Sequence, residues 1–252
     1  MFPIPGLMKA RKVLCVQPHP DDNEWAAGGT IALLAGSGAE VVYVTVTDGR
    51  WGTTDPTLDP DRLVELRREE QVRAADLLGV SEIAWLGFPD GRTPPGSDPA
   101  LVGPLVRLIR AYRPDGVLAP DPWMLYEAHP DHVNTGLAAA TAVLFAGLPA
   151  AYREPELEAH SPELIAFYNT ARPNTYVGID GVWETKMAAL AAHRSQFEVT
   201  WDMVRHYQKI QAEEAAARAR DRGKAGADVA LVEGFKVLAP LYLHCNWDAE
   251  NW

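Results

Sequence analysis

Cysteine is scarce in this chain. Cys15 and Cys245 are the two among 252 residues, and they do not form a CxxC pair. A disulfide framework and a thiolate metal centre are thereby excluded, and a reducing, cytoplasmic setting is expected. Basic residues are also few, 23 against 34 acidic ones, giving a net charge of −11. No basic stripe interrupts that acidity, so nucleic acid is not an expected partner. Long apolar runs are missing as well. No stretch approaches the ~18 residues of a membrane span. Residues 1–12 lack the apolar core and small-residue cleavage site of a signal peptide, so neither a membrane nor export is expected. The turn after the first strand carries no Gly-x-Gly-x-x-Gly, which removes a dinucleotide-binding reading.

What is present is a globular composition, 47% hydrophobic and 23% charged, with alternating strand and helix signals. Strands are expected over 12–17, 41–47, 82–86 and 116–119. Helices are expected over 24–36, 62–78, 99–112 and 133–145. Val41 to Thr47 is a run of β-branched residues broken only by Tyr43, as a strand covered on both faces requires. Strands separated by helices specify a parallel sheet with right-handed crossovers. After Gly147 the order loosens. Strand candidates lie at 164–168 and 176–179, helices at 182–192 and 201–221, and the apolar runs 231–238 and 241–244 are ambiguous. The loops 87–99 and 148–161 are rich in Pro with Gly or Glu. A single domain over 1–252 is expected, with a core at 12–146 and a C-terminal extension at 147–252 that completes the pocket and the oligomer contacts.

Two clusters carry the chemistry, Gln17-Pro18-His19-Pro20-Asp21-Asp22 and His129-Pro130-Asp131-His132. Each follows an apolar run read as a strand, and in open α/β sheets ligands gather outside the carboxyl ends of the strands. A catalytic Zn²⁺ site takes three protein ligands and leaves a position open. His19, Asp22 and His132 could supply those three. Asp21 is then a spare carboxylate able to act as base, His129 a donor to the oxyanion or leaving nitrogen, and Asp131 an orienting partner for one imidazole. A His-Pro-Asp run on its own is more often a turn, and Asp21-Asp22 on its own could cap the next helix. Two such runs, both at strand ends, favour a mononuclear metal hydrolase. Fe²⁺, Co²⁺ or Mn²⁺ would also suit this donor set.

These residues resemble the PIG-L / LmbE-like N-acetylglucosamine deacetylases, which carry Pro-His-Pro-Asp-Asp after the first strand and His-x-x-His after a later one. The likeness extends to Gly28-Gly29-Thr30, Val46-Thr47-Asp48-Gly49, Arg67-Arg68-Glu69-Glu70 and Ala192-His193-Arg194-Ser195-Gln196-Phe197. Gly52-Thr53-Thr54-Asp55, Ala119-Pro120-Asp121-Pro122-Trp123 and Tyr126-Glu127-Ala128-His129 are most similar to the diacetylchitobiose deacetylases. The resemblance implies a Rossmann-like, mostly parallel sheet with helices on both faces and a metal site at the carboxyl ends of the strands. It implies zinc on His19, Asp22 and His132, with Asp21 as base and His129 as oxyanion donor and acid. Arg67 and Asp90 would hold sugar hydroxyls. The implied substrate is an amino sugar, GlcNAc or diacetylchitobiose. A GlcNAc-malate type thiol precursor, a glycolipid or an antibiotic sugar is the alternative. A homo-oligomer, by likeness a hexamer, would bring His244 to a neighbouring copy's site. Trp123 reads either as a sugar platform or as core. Tyr126 reads either as an oxyanion contact or as a loop closure, and His193 as a packing or helix-terminus residue.

Overall fold

Strand β1 (Lys12–Gln17) leads through α1 (Asp22–Gly36) to β2 (Glu40–Thr47), then α2 (Pro60–Leu78), β3 (Glu82–Phe88), α3 (Pro99–Tyr112), β4 (Gly116–Pro120) and α4 (Pro130–Ala146). The remainder runs β5 (Leu164–Tyr168), β6 (Thr175–Gly178), α5 (Trp183–Ala191), α6 (Arg194–Phe197), α7 (Trp201–Asp221) and β7 (Val232–Leu238). This computed structural model describes residues 4–246 and 248–251. Positions 1–3 of the N-terminal segment, and 247 and 252 of the C-terminal extension, lie outside the described residues.

The strands form one sheet in the order β3-β2-β1-β4-β5-β7-β6. Pairing from β3 through β5 is parallel, and β7 runs antiparallel to both β5 and β6. The expected mostly parallel α/β sheet is therefore what the chain forms. Successive strand side chains point to opposite faces, so the core divides in two. Val13 and Cys15 pack with residues of α1, α2, α5 and α7, whereas Leu14 and Val16 pack with α3 and α4. Both faces of β1 are covered, which is why it reads as an unbroken apolar run.

Helix ends follow local chemistry. Asp59 accepts from the backbone N–H groups of Asp61 and Arg62, Pro60 opens α2, and Gly79 closes it at φ 76°, as capping rules require. Three helices start earlier than their sequence pattern indicates, α2 among them at Pro60 rather than Arg62. Helix α4 begins at Pro130 rather than Val133, because proline's missing N–H is not needed in the first turn. Helix α1 begins at Asp22 rather than Glu24. The ambiguous run 231–238 is strand β7. Its period is obscured by two inward polar residues, Glu233 and Lys236, both buried. The run 241–244 is a 3-10 turn, Pro240–Leu243.

Chain order determines where a site can form. From β1 the chain moves through β2 to β3 on one side, then returns to place β4 on the other. The seam between β1 and β4 is thus a topological switch point, where the connections diverge and leave a crevice at the carboxyl ends.

Candidate active site

Both His-Asp clusters lie at that seam, the first directly after β1 and the second at the start of α4. The chain kinks sharply to deliver the first. Asp21 adopts φ 108°, a left-handed conformation, at the entry to α1. Its N–H donates to Gln71 Oε1 at 3.1 Å. The Arg67 guanidinium donates to Pro20 O and, at 2.9 Å, to Asp21 Oδ2. Arg67 and Gln71 are four residues apart on α2, so one helix face holds the turn. Gly49 is required beside it, since a Cβ there would stand 2.5 Å from the Arg67 guanidinium at a backbone φ of 67°.

Three imidazoles converge. The His19 ring lies 4.7 Å from that of His129 and 5.3 Å from that of His132, centroid to centroid. Asp22 sits between two of them, with Oδ2 3.3 Å from His19 Nδ1 and Oδ1 3.4 Å from His132 Nε2. One potential ligand atom from each of His19, Asp22 and His132 falls within 4.8 Å of the others. A second group, His19, Asp90, His129 and Asp131, meets the same criterion. Its carboxylates are already engaged. Asp131 accepts from the Gly91 and Thr93 N–H groups and from Thr93 Oγ1, and Asp90 accepts from the Trp51 N–H.

The donor set fits a divalent metal on His19, Asp22 and His132. Each imidazole shows its other nitrogen to a carboxylate. His19 Nε2 lies 3.2 Å from Asp131 and 3.1 Å from Asp90, and His132 Nδ1 lies 3.3 Å from Glu127. Such outer carboxylates fix ring orientation and tautomer in metal centres. The local field also favours positive charge. Burial opposes a charged His19, yet contacts with Asp131, Asp22 and Asp90 hold its pKa well above the usual imidazole range. Burial likewise opposes a charged Asp22, but His132 and His19 keep it below the usual carboxylate range. Asp21 differs. Burial pushes its carboxyl up to about 6; Arg67 pulls the other way and Asp22 adds to the rise. A carboxylate poised near neutrality suits a general base.

His129 caps α4, with Nδ1 accepting the Asp131 N–H at 3.3 Å. That bond places the neutral ring's proton on Nε2. The structure therefore gathers His19, Asp21, Asp22, Arg67, Asp90, His129, Asp131 and His132 in one crevice. Trp123 is 59% exposed, with its ring edge-on to Phe167 at 5.5 Å. Tyr126 is fully exposed at a positive φ of 70°. His244 is exposed, and its Nε2 lies 3.7 Å from Cys245 Sγ. None of these three contacts the cluster among the described residues. Sequence reading missed Glu127 and Gln71, although Glu127 lies inside a motif already singled out and Gln71 one helical turn beyond Arg67. His193, read as a packing or helix-terminus residue, is the N-cap of α6 and fully buried, with Nε2 3.5 Å from Glu24 Oε2.

Fold and site define an α/β enzyme with a His/Asp cluster able to hold a metal at the sheet's switch point. The PIG-L family model, described as GlcNAc-PI de-N-acetylase, matches residues 14–143. A diacetylchitobiose deacetylase of Thermococcus kodakarensis is 43% identical over 201 residues, 78% of this chain and 74% of that protein. A probable N-acetyl-alpha-D-glucosaminyl L-malate deacetylase 2 of Bacillus cereus is 31% identical over 197 residues, 75% of this chain and 84% of that one. The structure of N,N'-diacetylchitobiose deacetylase from Pyrococcus horikoshii, complexed with its inhibitor MPG, matches with a TM-score of 0.88 at 38% identity. That match covers 97% of this chain and 90% of the other. The chain belongs to the PIG-L family and is a deacetylase that hydrolyses an amide bond.

Proposed function

We propose that this enzyme removes the N-acetyl group of an N-acetylglucosamine-containing sugar, with diacetylchitobiose as substrate and one Zn²⁺ held by His19, Asp22 and His132. The observation that carries the reading is the meeting of those three donors beside Asp21, a carboxylate that Arg67 engages through one oxygen only. When bound, the metal would polarise the acetamide carbonyl and ease loss of a proton from water at a pH near ~7. Asp21 takes the proton from the attacking water. Arg67 engages Oδ2 and leaves Oδ1 to accept it. His129 donates from Nε2 to the acetamide oxygen as negative charge gathers there, the kind of preorganised stabilisation that dominates many rate enhancements. The proton taken up by Asp21 passes to the departing nitrogen, with His129 assisting as acid, the C–N bond breaks, and acetate and a free amine remain.

In this reading the sugar side is met by Arg67, Asp90, Trp123 and Tyr126. The chain acts as a single domain whose residues 147–252 complete the pocket, and it assembles as a homo-oligomer, a hexamer by likeness, in which His244 serves a neighbouring copy. Trp123 and Tyr126 project from the loop that ends at His129, and their exposure supports a substrate-facing role. Acetate release from diacetylchitobiose, GlcNAc and GlcNAc-malate tests the assignment. Fastest turnover of GlcNAc-malate would transfer it to the Bacillus relative's substrate type. Asp21→Asn is expected to keep its metal and lose about 10²-fold or more in turnover, and full activity would remove Asp21 as the base.

A further inference from the structure

Helix α1 carries Asp22 in its first turn and Trp25 one turn later. Residues three apart on a helix are neighbours, with Cβ atoms about 5–6 Å apart. Trp25 faces a second cavity of about 560 Å³, walled by α7, β7 and the loop at Met124 and Leu125. No residue of the His-Asp cluster lines it, and its volume is that of a small-molecule site.

The lining shows what would fit. One wall is aromatic, with the Trp25 and Tyr207 rings 6.0 Å apart and tilted by 38°. The charged lining residues balance, Lys186 and Arg218 against Glu214 and Glu233. Lys186 and Glu233 are moreover paired at 2.7 Å. Gln208 lines the cavity while only 2% exposed, and its Nε2 has no hydrogen-bond partner. An unpaired buried donor is unfavourable unless an acceptor is supplied. A neutral ligand with apolar faces and many oxygen acceptors answers all three features, and a pyranose ring is such a ligand.

We propose that this cavity is a carbohydrate subsite. It would take a remote unit of a longer N-acetylglucosamine oligomer while the reacting acetamide lies at the His-Asp cluster. The subsite rests on the deacetylase reading for the identity of its sugar and on the cavity for its existence. Calorimetric binding of tetra-N-acetylchitotetraose and of diacetylchitobiose to the Asp21→Asn enzyme tests it without turnover. The tetrasaccharide is expected to bind about tenfold tighter than the disaccharide. Adding Gln208→Leu or Tyr207→Ala should remove that difference and leave disaccharide affinity unchanged. Tyr207 is half exposed on α7, so its truncation keeps the test open if the buried Gln208 variant fails to fold. Equal affinity for the two sugars, or tetrasaccharide binding indifferent to both substitutions, would overturn the subsite. Acetate release by the unaltered enzyme is a separate measurement. Its absence alongside cavity-dependent binding would remove the substrate assigned under the proposed function and leave the subsite standing.

Discussion

Asp21 keeps a side chain where the backbone would prefer none. At φ 108° the conformation suits glycine, and a non-glycine residue there stores on the order of 1–3 kcal/mol. Asp21→Gly is therefore expected to raise stability by about 1 kcal/mol in urea unfolding while abolishing acetate release. A destabilised glycine variant would show that the Arg67 contact outweighs the strain. Glu127 invites a different measurement. Removing the carboxylate beside His132 Nδ1 in Glu127→Ala should weaken metal affinity by about 10–100-fold, read by competition with a chelating dye. His19, Asp22 and His132 stand out in the sequence because prolines and carboxylates crowd them into two short runs. Glu127, Gln71 and the buried Glu24–His193 pair do not. Each is one polar residue on a helix or loop, and its inward orientation is set by tertiary packing, which local pattern does not encode.

Among elements, one buried carboxylate, Glu233, ties β7 to both α1 and α5. Glu233 accepts from Lys186 and from the N–H groups of Gly29 and Thr30. Lys186→Met would leave the carboxylate without its cation, and the expected loss is about 3–5 kcal/mol, measured by denaturant unfolding. A loss under about 1 kcal/mol would mean that the two backbone donors suffice. The same residues explain where sequence reading stopped. Strands β1, β2 and β4 are apolar on both faces, and their runs match the strands closely. β7 carries Glu233 and Lys236 inside, so its run does not alternate and does not declare itself. The start of α4 is hidden in the sequence because a proline in a first turn resembles a break, and only the structure shows His129 as its cap.

For the whole molecule, the expected coupling runs between metal and stability. A ligand that binds only the folded state stabilises it by about 2.7 kcal/mol at a hundredfold excess over its Kd. Adding Zn²⁺ to the chelated protein should accordingly raise Tm in a concentration-dependent way and restore acetate release, while far-UV circular dichroism stays unchanged. Activity that survives exhaustive chelation would sink the metal assignment. The switch point between β1 and β4 has a further consequence for how this enzyme is made. Its two halves come from segments 112 positions apart at the His19–Asp131 contact. A nascent chain therefore offers half a binding site long before the other half is synthesised. A metal held there would load late in maturation, and its capture would report that the centre of the sheet has closed.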